Sequence, residues 1–383
     1  MSYRAEIIGG GVAGLATATA MVLRGADVRV HEQAARITEV GAGLQISPNG
    51  LAVLDGLGAG DALRSQSVQA RAVRLIDGVT GRVVLTLDLA GHRPDQEWRF
   101  VHRATLIDIL HAAAEAAGAT IDTGARIDAA EAGLFADKGA LVVGADGIRS
   151  MLRGLILGTK APDFTGQIAW RAIIDDEAPP EVQVWMGPGR HIVSYPLPGG
   201  RRNIVAVLES ATWAEEGWRH PGDPEKLRKA FGSFVQPASQ WLETVAHANV
   251  WGLFAHPVAR SWSEGGKAVL VGDAAHPMLP FLAQGANMAL EDAWVLADCL
   301  DKDVDAETAF QTYQNLRAPR VKRVVSASAA NARNYHLSNP FVRRVGHAVL
   351  GFGGRIAPSA AVGRFDWLYA HDVTGKTRLA PNV

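Results

Sequence analysis

The chain begins its ordered pattern with Ala5-Glu6-Ile7-Ile8-Gly9-Gly10-Gly11-Val12-Ala13-Gly14, and this stretch decides the fold. Residues 5–8 form a short apolar run that predicts a strand, and glycines follow it directly. Residues 15–23 are rich in alanine and favour a helix, which Gly25 ends. Residues 27–32 then alternate as a second strand. This order predicts a β-α-β unit and an α/β protein.

The glycines match the pattern G-x-G-x-x-G between a strand and a helix. Gly9 allows the tight turn, Gly11 lets the backbone approach a pyrophosphate, and Gly14 lets the helix pack closely on the strand. The helix N-terminus offers free N–H groups to phosphate oxygens. Glu32 ends the second strand, where its carboxylate can accept a ribose 2′-hydroxyl. A dinucleotide site is therefore favoured over a glycine-rich turn in some other α/β protein, but the motif does not separate NAD from FAD.

Composition narrows the class of protein. The chain has 383 residues, 48% hydrophobic and 20% charged, which indicates a globular protein long enough for two domains. Lys and Arg number 38 and Asp and Glu 39, so a nucleic-acid or anionic-membrane partner is not expected. We interpret the basic residues Arg317, Arg320, Lys322 and Arg323 as a solvated helix face.

Cysteine and hydropathy add further expectations. Cys299 is the single cysteine, so we expect no disulfide framework and no metal site. The sequence contains no run of 18 apolar residues, so no membrane span is predicted, and we expect a cytoplasmic protein.

The pattern of elements changes along the chain. Residues 69–100 and 156–254 are rich in strands and predict an inserted sheet domain that binds substrate. Residues 1–68, 101–155 and 255–383 carry the nucleotide-domain pattern, with helices toward the C-terminus. The predicted fold is α/β, with a discontinuous Rossmann-like domain, an inserted β-sheet domain and C-terminal helices. Pro319 lies within a helical stretch that it should kink or break.

Three further segments make a family resemblance specific. They are His102-Arg103, Gly144-Ala145-Asp146-Gly147-Ile148-Arg149-Ser150, and Gly272-Asp273-Ala274-Ala275-His276-Pro277 with its continuation Gln284-Gly285-Ala286-Asn287. Their order across nearly the whole chain resembles the single-component FAD-dependent aromatic hydroxylases, which include salicylate and hydroxybenzoate hydroxylases.

The resemblance implies tightly bound FAD and assigns residues to it. Asp273 would accept a ribityl hydroxyl, Arg103 would contact the pyrophosphate region, and Asp146 would organise the loop near it. Gly285, Ala286 and Asn287 would begin a helix whose N–H groups face the flavin. Weaker assignments to the FAD site are Ala13, Gln45 and Ile127. Ile127 would contact the cofactor mainly through its backbone.

Residues 190–196, Arg-His-Ile-Val-Ser-Tyr-Pro, suggest the substrate side. With a period of two, His191, Val193 and Tyr195 share one face of a strand. A neutral histidine can take the proton of a phenol near pH 7, and a tyrosine hydroxyl can orient the substrate. A histidine–tyrosine pair in a comparable place resembles hydroxybenzoate-type relatives. His191 and Tyr195 are therefore the candidate catalytic residues, against the alternatives of a strand residue without a catalytic role and a core aromatic.

We therefore predict an FAD-dependent monooxygenase that hydroxylates a small phenolic or aromatic acid with O2. By resemblance it works through a flavin C4a-hydroperoxide. No second G-x-G-x-x-G lies between a strand and a helix, so NADH or NADPH must bind transiently. We expect a monomer or homodimer. The alternatives are an FAD-dependent oxidase, dehydrogenase or epoxidase acting on a non-aromatic substrate, and a non-catalytic nucleotide-binding regulator.

Overall fold

A computed structural model describes residues 3–36, 43–158, 162–211 and 220–375. The first sheet has six strands. Five of them pair with one another in parallel, as expected for a β-α-β protein. Only the edge strand β16 runs antiparallel to its neighbour. In spatial order the strands are β16 Ser263–Glu264, β17 Ala268–Leu270, β9 Leu141–Gly144, β1 Arg4–Ile8, β2 Asp27–Glu32 and β8 Thr120–Thr123.

The second sheet has eight strands and is antiparallel except where β5 pairs with β11. In spatial order they are β14 His220–Gly222, β15 Ala248–Ala255, β10 Asp163–Asp175, β13 Arg201–Glu209, β12 Arg190–Leu197, β11 Glu181–Gly187, β5 Ala72–Asp77 and β6 Val83–Asp88. A small third sheet orders β3 Gly43–Ile46, β7 Arg99–His102 and β4 Val68–Gln69.

Helices cover the sheets and complete the predicted α/β class. They are α1 Val12–Val22, α2 Pro48–Gly56, α3 Gly60–Ser65, α4 Leu89–His92, α5 Arg103–Ala117, α6 Ala129–Asp137, α7 Met151–Leu157, α8 Pro224–Ala230, α9 Ala238–Glu243, α10 Gly285–Leu300, α11 Ala306–Tyr335, α12 Pro340–Ile356, α13 Pro358–Gly363 and α14 Asp366–Tyr369. In the described part of the chain, no helix has the length and apolarity that a bilayer crossing requires.

Two cores reflect the two large sheets. Helices α1, α5 and α10 pack against one another, and their buried residues share an apolar cluster with β1, β2 and β9. One face of the eight-stranded sheet packs on α8 and α9 through Phe231 and Trp241, and its other face packs on Phe281 and on Ala332 of α11. Strands of the six-stranded sheet come from residues 4–32, 120–144 and 263–270, and those of the eight-stranded sheet from residues 72–88 and 163–255.

Helix α11 bears on two sequence expectations. Of the kink or break expected at Pro319, the break is absent, because the helix continues through this residue. Proline lacks the N–H that would bond the carbonyl of Asn315, but both residues are exposed, so water can solvate that carbonyl. The solvated-face interpretation of the basic residues is wrong for Arg317, which is fully buried and donates to Asp292 at 2.7 Å and to Glu291.

The next basic residues on α11 are also engaged. Arg320 donates two hydrogen bonds to Glu291, and the Arg323 guanidinium lies 3.8 Å from the centre of the Trp367 ring. The basic stretch therefore attaches α11 to α10 and α14, because its partners lie on those elements.

Candidate active site

A cavity of about 940 Å³ opens at the carboxyl ends of β1, β2 and β9 and extends to the inner face of β12. Ligands of open α/β sheets bind at this edge of the strands. The cavity brings together most of the residues that the sequence assigned to a site, which lie far apart in the chain. Those that line it are Gly9, Gly11, Ala13, Glu32, Gln45, Arg103, Ile127, Asp146, His191, Tyr195, Asp273, Gly285 and Ala286.

The glycine turn has the geometry that the motif predicts. Gly9 has φ +109°, and a Cβ there would lie 2.4 Å from the carbonyl oxygen of Ala145. A Cβ on Gly14 would lie 1.9 Å from the carbonyl oxygen of Gly9, so α1 can sit this close to β1 only with glycine. A Cβ on Gly11 would meet no atom within 4 Å and would project at the cavity wall. The turn is therefore a cradle open to a ligand, as a pyrophosphate requires.

Glu32 closes one side of the turn. Its Oε2 accepts the N–H of Gly10 at 2.8 Å, and its Oε1 accepts the N–H of Ala34 at 2.7 Å. Each carboxylate oxygen still has a lone pair, because an ionised carboxylate offers about four acceptor sites. The carboxylate lies at the cavity wall, where it can accept a ribose hydroxyl.

Asp273 lines the cavity from the turn after β17. Its side chain is exposed to the cavity but is otherwise surrounded by protein, and this burial raises its pKa. The charges of His276 and Arg103 oppose the shift. A Cβ on Gly285 would lie 4.0 Å from Asp273 Oδ1, so the carboxyl lies beside the N-terminus of α10. Its placement suits a hydroxyl donor such as a ribityl chain.

Asp146 organises the turn after β9. Its Oδ2 accepts the N–H groups of Met151 at 2.8 Å and Leu152 at 3.4 Å, at the start of α7. Burial raises the pKa of this carboxyl, and hydrogen bonds from Ser150 and the loop backbone partly offset the shift. Its Oδ1 is buried without a hydrogen-bond partner among the described residues. A ligand that reaches the turn would find an acceptor there.

Two assigned residues lie outside the cavity lining, Gly14 and Asn287. The side chain of Asn287 is fully buried and turns toward β3. Its Oδ1 accepts the N–H of Ser47 at 3.0 Å, and its Nδ2 donates to the carbonyl oxygens of Gln45 at 3.0 Å and Ala283 at 2.9 Å. The expected helix start at Gly285 is present, but Asn287 contributes to the site by fixing β3 against α10.

The inner end of the cavity is formed by the eight-stranded sheet. His191, Val193 and Tyr195 line it from one face of β12, as the period of two predicts, with Val205 and Val207 of β13 beside them. Trp185 pairs with Ile192 and packs on Trp241, so it faces the other side of the sheet.

His191 is 1% exposed, and its Nδ1 lies 2.6 Å from Nε2 of His336. Burial holds the pKa of His191 well below its ordinary value, and repulsion from His336 adds to this whenever His336 is protonated, so the His191 imidazole is neutral at pH 7. Its ring also contacts Phe281 and Tyr335. A neutral, buried imidazole at the wall of an apolar pocket is suited to accept a proton.

Tyr195 is buried, and its ring packs 5.1 Å from that of Phe100. Burial raises the pKa of its phenol, and the charge of Arg171 offsets only part of this increase. The hydroxyl therefore stays protonated and can donate a hydrogen bond.

Sequence reasoning missed two residues of this region, Arg171 and His336. Arg171 lines the cavity from β10, with its guanidinium 5.2 Å from the centre of the Trp251 ring. It lies in the predicted strand QIAWRAII, where a charge between apolar neighbours was a signal that could have been used. His336 directly follows the last residue of α11. Nothing in its local sequence indicates a partner on β12.

Comparisons with known proteins agree with this geometry. The sequence model described as FAD binding domain matches residues 3–328. The chain is 34% identical to 3-amino-4-hydroxybenzoate 2-monooxygenase of Streptomyces platensis, over 87% of this chain and 89% of that protein. It is 34% identical to 3-hydroxybenzoate 6-hydroxylase of Klebsiella oxytoca over the same shares. A solved salicylate hydroxylase substrate complex has the same fold, with TM-score 0.79, 22% identity and coverage of 100% of this chain and 99% of that one.

Proposed function

Because the chain belongs to the family of FAD-dependent aromatic monooxygenases, we propose that it hydroxylates a small phenolic or aromatic acid with O2 and NADH or NADPH. The glycine turn, Glu32, Asp273 and the N-terminus of α10 would hold FAD, with Arg103 and Asp146 near its phosphates. FAD supplies the redox chemistry and activates oxygen when it is bound.

We propose that His191 removes the phenol proton of the substrate. Its Nδ1 is engaged by His336, which leaves Nε2 for the cavity. Loss of the proton makes the ring electron-rich and ready for attack by an electrophilic oxygen. The depressed pKa of His191 favours this role, since the imidazole is neutral and accepting at pH 7.

Arg171 and Tyr195 would orient the substrate. Arg171 brings a guanidinium to a wall made largely of apolar side chains, where it can pair with a carboxylate. Tyr195 keeps its proton and can donate to the carboxylate or to the phenolate oxygen. Val193, Val205, Val207 and Phe281 offer apolar surface to a flat ring and exclude water.

The observation that carries the proposal is the placement of a neutral histidine, a tyrosine and an arginine at the inner end of the cavity whose outer end has the dinucleotide cradle. Together they suit an anionic phenol beside a flavin. The two 34% identical relatives, which are named for hydroxybenzoate substrates, support the same class.

The test is a screen of the purified yellow holoenzyme. 3-Hydroxybenzoate, 3-amino-4-hydroxybenzoate and salicylate are each added with NADH or NADPH, and cofactor consumption is followed by absorbance. We expect at least one acid to stimulate consumption and to retain one atom of ¹⁸O2 in its product by mass spectrometry. An oxidase or dehydrogenase would leave no label in the product, and a regulator would show no stimulated consumption; either result overturns the proposal.

We further propose the domain division at residues 1–68, 101–155 and 255–383 against 69–100 and 156–254, a cytoplasmic location, and a monomer or homodimer. The segregation of strands between the two large sheets supports the division. Light scattering of the purified holoenzyme would measure the oligomeric state.

A further inference from the structure

A chain of three ionisable side chains runs from the cavity to the surface. His191 of β12 lies at the cavity wall, and its Nδ1 is 2.6 Å from Nε2 of His336. Nδ1 of His336 is 3.2 Å from Oε1 of Glu209, at the end of β13. The side chain of Glu209 is 51% exposed. The three groups therefore connect the substrate end of the cavity with bulk water.

We propose that His336 and Glu209 form a proton relay that carries the substrate's phenol proton from His191 to solvent. This inference rests on the proposed function, because the relay needs a phenol at the cavity end. His336 and Glu209 do not line the cavity, and they act through His191.

The relay balances without charging either imidazole. His191 starts with its proton on Nδ1, donated to Nε2 of His336, and His336 starts with its proton on Nδ1, donated to Glu209. When Nε2 of His191 takes the phenol proton, Nδ1 of His191 passes its proton to Nε2 of His336, and Nδ1 of His336 passes its proton to the carboxylate. Glu209 then releases one proton to water, and no group is oxidised or reduced.

The surroundings of His336 select this tautomer. The carboxylate of Glu209 at 3.2 Å is an acceptor and requires a proton on Nδ1, while the Gln167 amide nitrogen lies farther away, at 3.4 Å. Burial lowers the pKa of His336, with Arg190 in the same sense and Glu209 in the opposite sense. The other ionisable neighbour is Tyr335, whose ring contacts His191 and whose pKa burial raises to about 12. Both imidazoles therefore stay neutral at pH 7, as a relay through tautomers needs.

The function of such a path follows from burial. His191 is almost wholly removed from water, so a proton that it accepts cannot leave directly. An imidazolium trapped there would be costly, since burial already disfavours the charged form. A path through His336 removes the proton while keeping water out of the pocket.

The experiment measures proton release from a bound chromophoric phenol. 3-Hydroxy-4-nitrobenzoate changes its visible absorbance on ionisation, and a stopped-flow pH jump of its complex with the FAD-loaded enzyme gives the rate. We expect His336→Gln and Glu209→Gln each to slow ionisation by about tenfold or more. In both variants the flavin content should stay unchanged. Their affinity for the probe, measured at a pH where the probe is already ionised, should also stay unchanged. The matched control is Glu177→Gln, an exposed glutamate outside the relay, which should ionise the probe at the wild-type rate.

Wild-type rates in both relay variants would overturn the relay. Should His336→Gln fail to fold or to retain FAD, Glu209→Gln decides alone, because its half-exposed side chain carries little folding risk. Failure of the wild-type enzyme to bind the probe, seen as no change in flavin absorbance or fluorescence, would instead overturn the proposed function and the relay with it. Binding with unaltered rates in the variants contradicts the relay only.

Discussion

Gly11 and Gly14 lie three residues apart in one turn, yet an added methyl group would meet different surroundings at each. At Gly14 the methyl would lie 1.9 Å from the carbonyl oxygen of Gly9, a backbone atom that cannot move aside without shifting α1. At Gly11 it would enter open space at the cavity wall. Gly14 is thus required by packing within the protein, and Gly11 by the ligand.

We predict that Gly14→Ala lowers the stability of the protein even without flavin, whereas Gly11→Ala leaves the apoprotein stable and weakens FAD binding. The cost at Gly14 should be about 1–3 kcal/mol, as for overpacking a close contact. Urea unfolding of the apoproteins and flavin titration would measure the two effects. Equal losses of apoprotein stability in both variants would contradict the distinction.

His191 offers the second prediction at the residue scale. Replacing it by Ala should reduce hydroxylation of a responsive acid by about 10²–10⁴-fold, the range for loss of a general base. Flavin content should stay normal because His191 lies at the substrate end of the cavity. Product formation from a single responsive acid, followed at several pH values, measures the effect. Unchanged turnover would remove His191 from the mechanism.

At the scale of elements, Asn287 joins β3 to α10. Its amide makes three hydrogen bonds, one buried and two partly buried. Two of them are to the backbone of residues 45 and 47, which lead from β3 into α2. This places Gln45 at the cavity beside the start of α10. The residue acts on the cofactor site through the position of a strand.

We predict that Asn287→Ala lowers the free energy of unfolding by about 2–4 kcal/mol, because it leaves the N–H of Ser47 and the carbonyl of Gln45 buried without partners. FAD affinity should fall as β3 loosens. The matched control is Asn331→Ala, which removes one longer hydrogen bond of 3.5 Å to Phe281. Denaturant unfolding measures both, and a loss at Asn287 no larger than at Asn331 would refute this account.

At the scale of the whole molecule, buried histidines make stability depend on pH. Burial lowers the pKa of His191, with the charge of His336 adding to the effect, and burial also lowers that of His336. The unfolded chain therefore binds more protons than the folded one just below the ordinary histidine value of about 6.5. Stability is fully present above that value and is lost as the pH falls below it.

Two buried carboxylates extend the loss to lower pH. Burial would raise the pKa of Glu291 and Asp292, but Arg317 and, for Asp292, His276 outweigh it and hold both below the ordinary range. Their contribution is present above the unfolded carboxyl values and is lost on further acidification. Asp146 and Asp273 have raised pKa values and act in the opposite sense.

We predict that the Tm of the apoprotein falls between about pH 7.5 and pH 5.5, above the range where carboxylates titrate. Scanning fluorimetry at steps across this interval measures it. The double variant His191→Gln/His336→Gln should show a shallower fall, because it lacks two of the groups that titrate. A Tm that is constant or rises on acidification of the wild type would contradict the assignment.

Features that depend on local period and on turn chemistry could be predicted from the residues alone. The β-α-β opening, the glycine turn and the shared face of His191 and Tyr195 follow from residues within a few positions of each other. The order of the motifs identified the family, because it needs no knowledge of contacts.

Contacts between groups that are distant in the chain became known from the folded structure. The amide of Asn287 binds a strand 242 residues away, His336 reaches His191 across 145 residues, and Arg317 is buried against two carboxylates. Period and propensity describe neighbours in the chain. They cannot encode these partners, because the packing of α10 against β3, of α11 on α10, and of the residue after α11 against β12 brings them together.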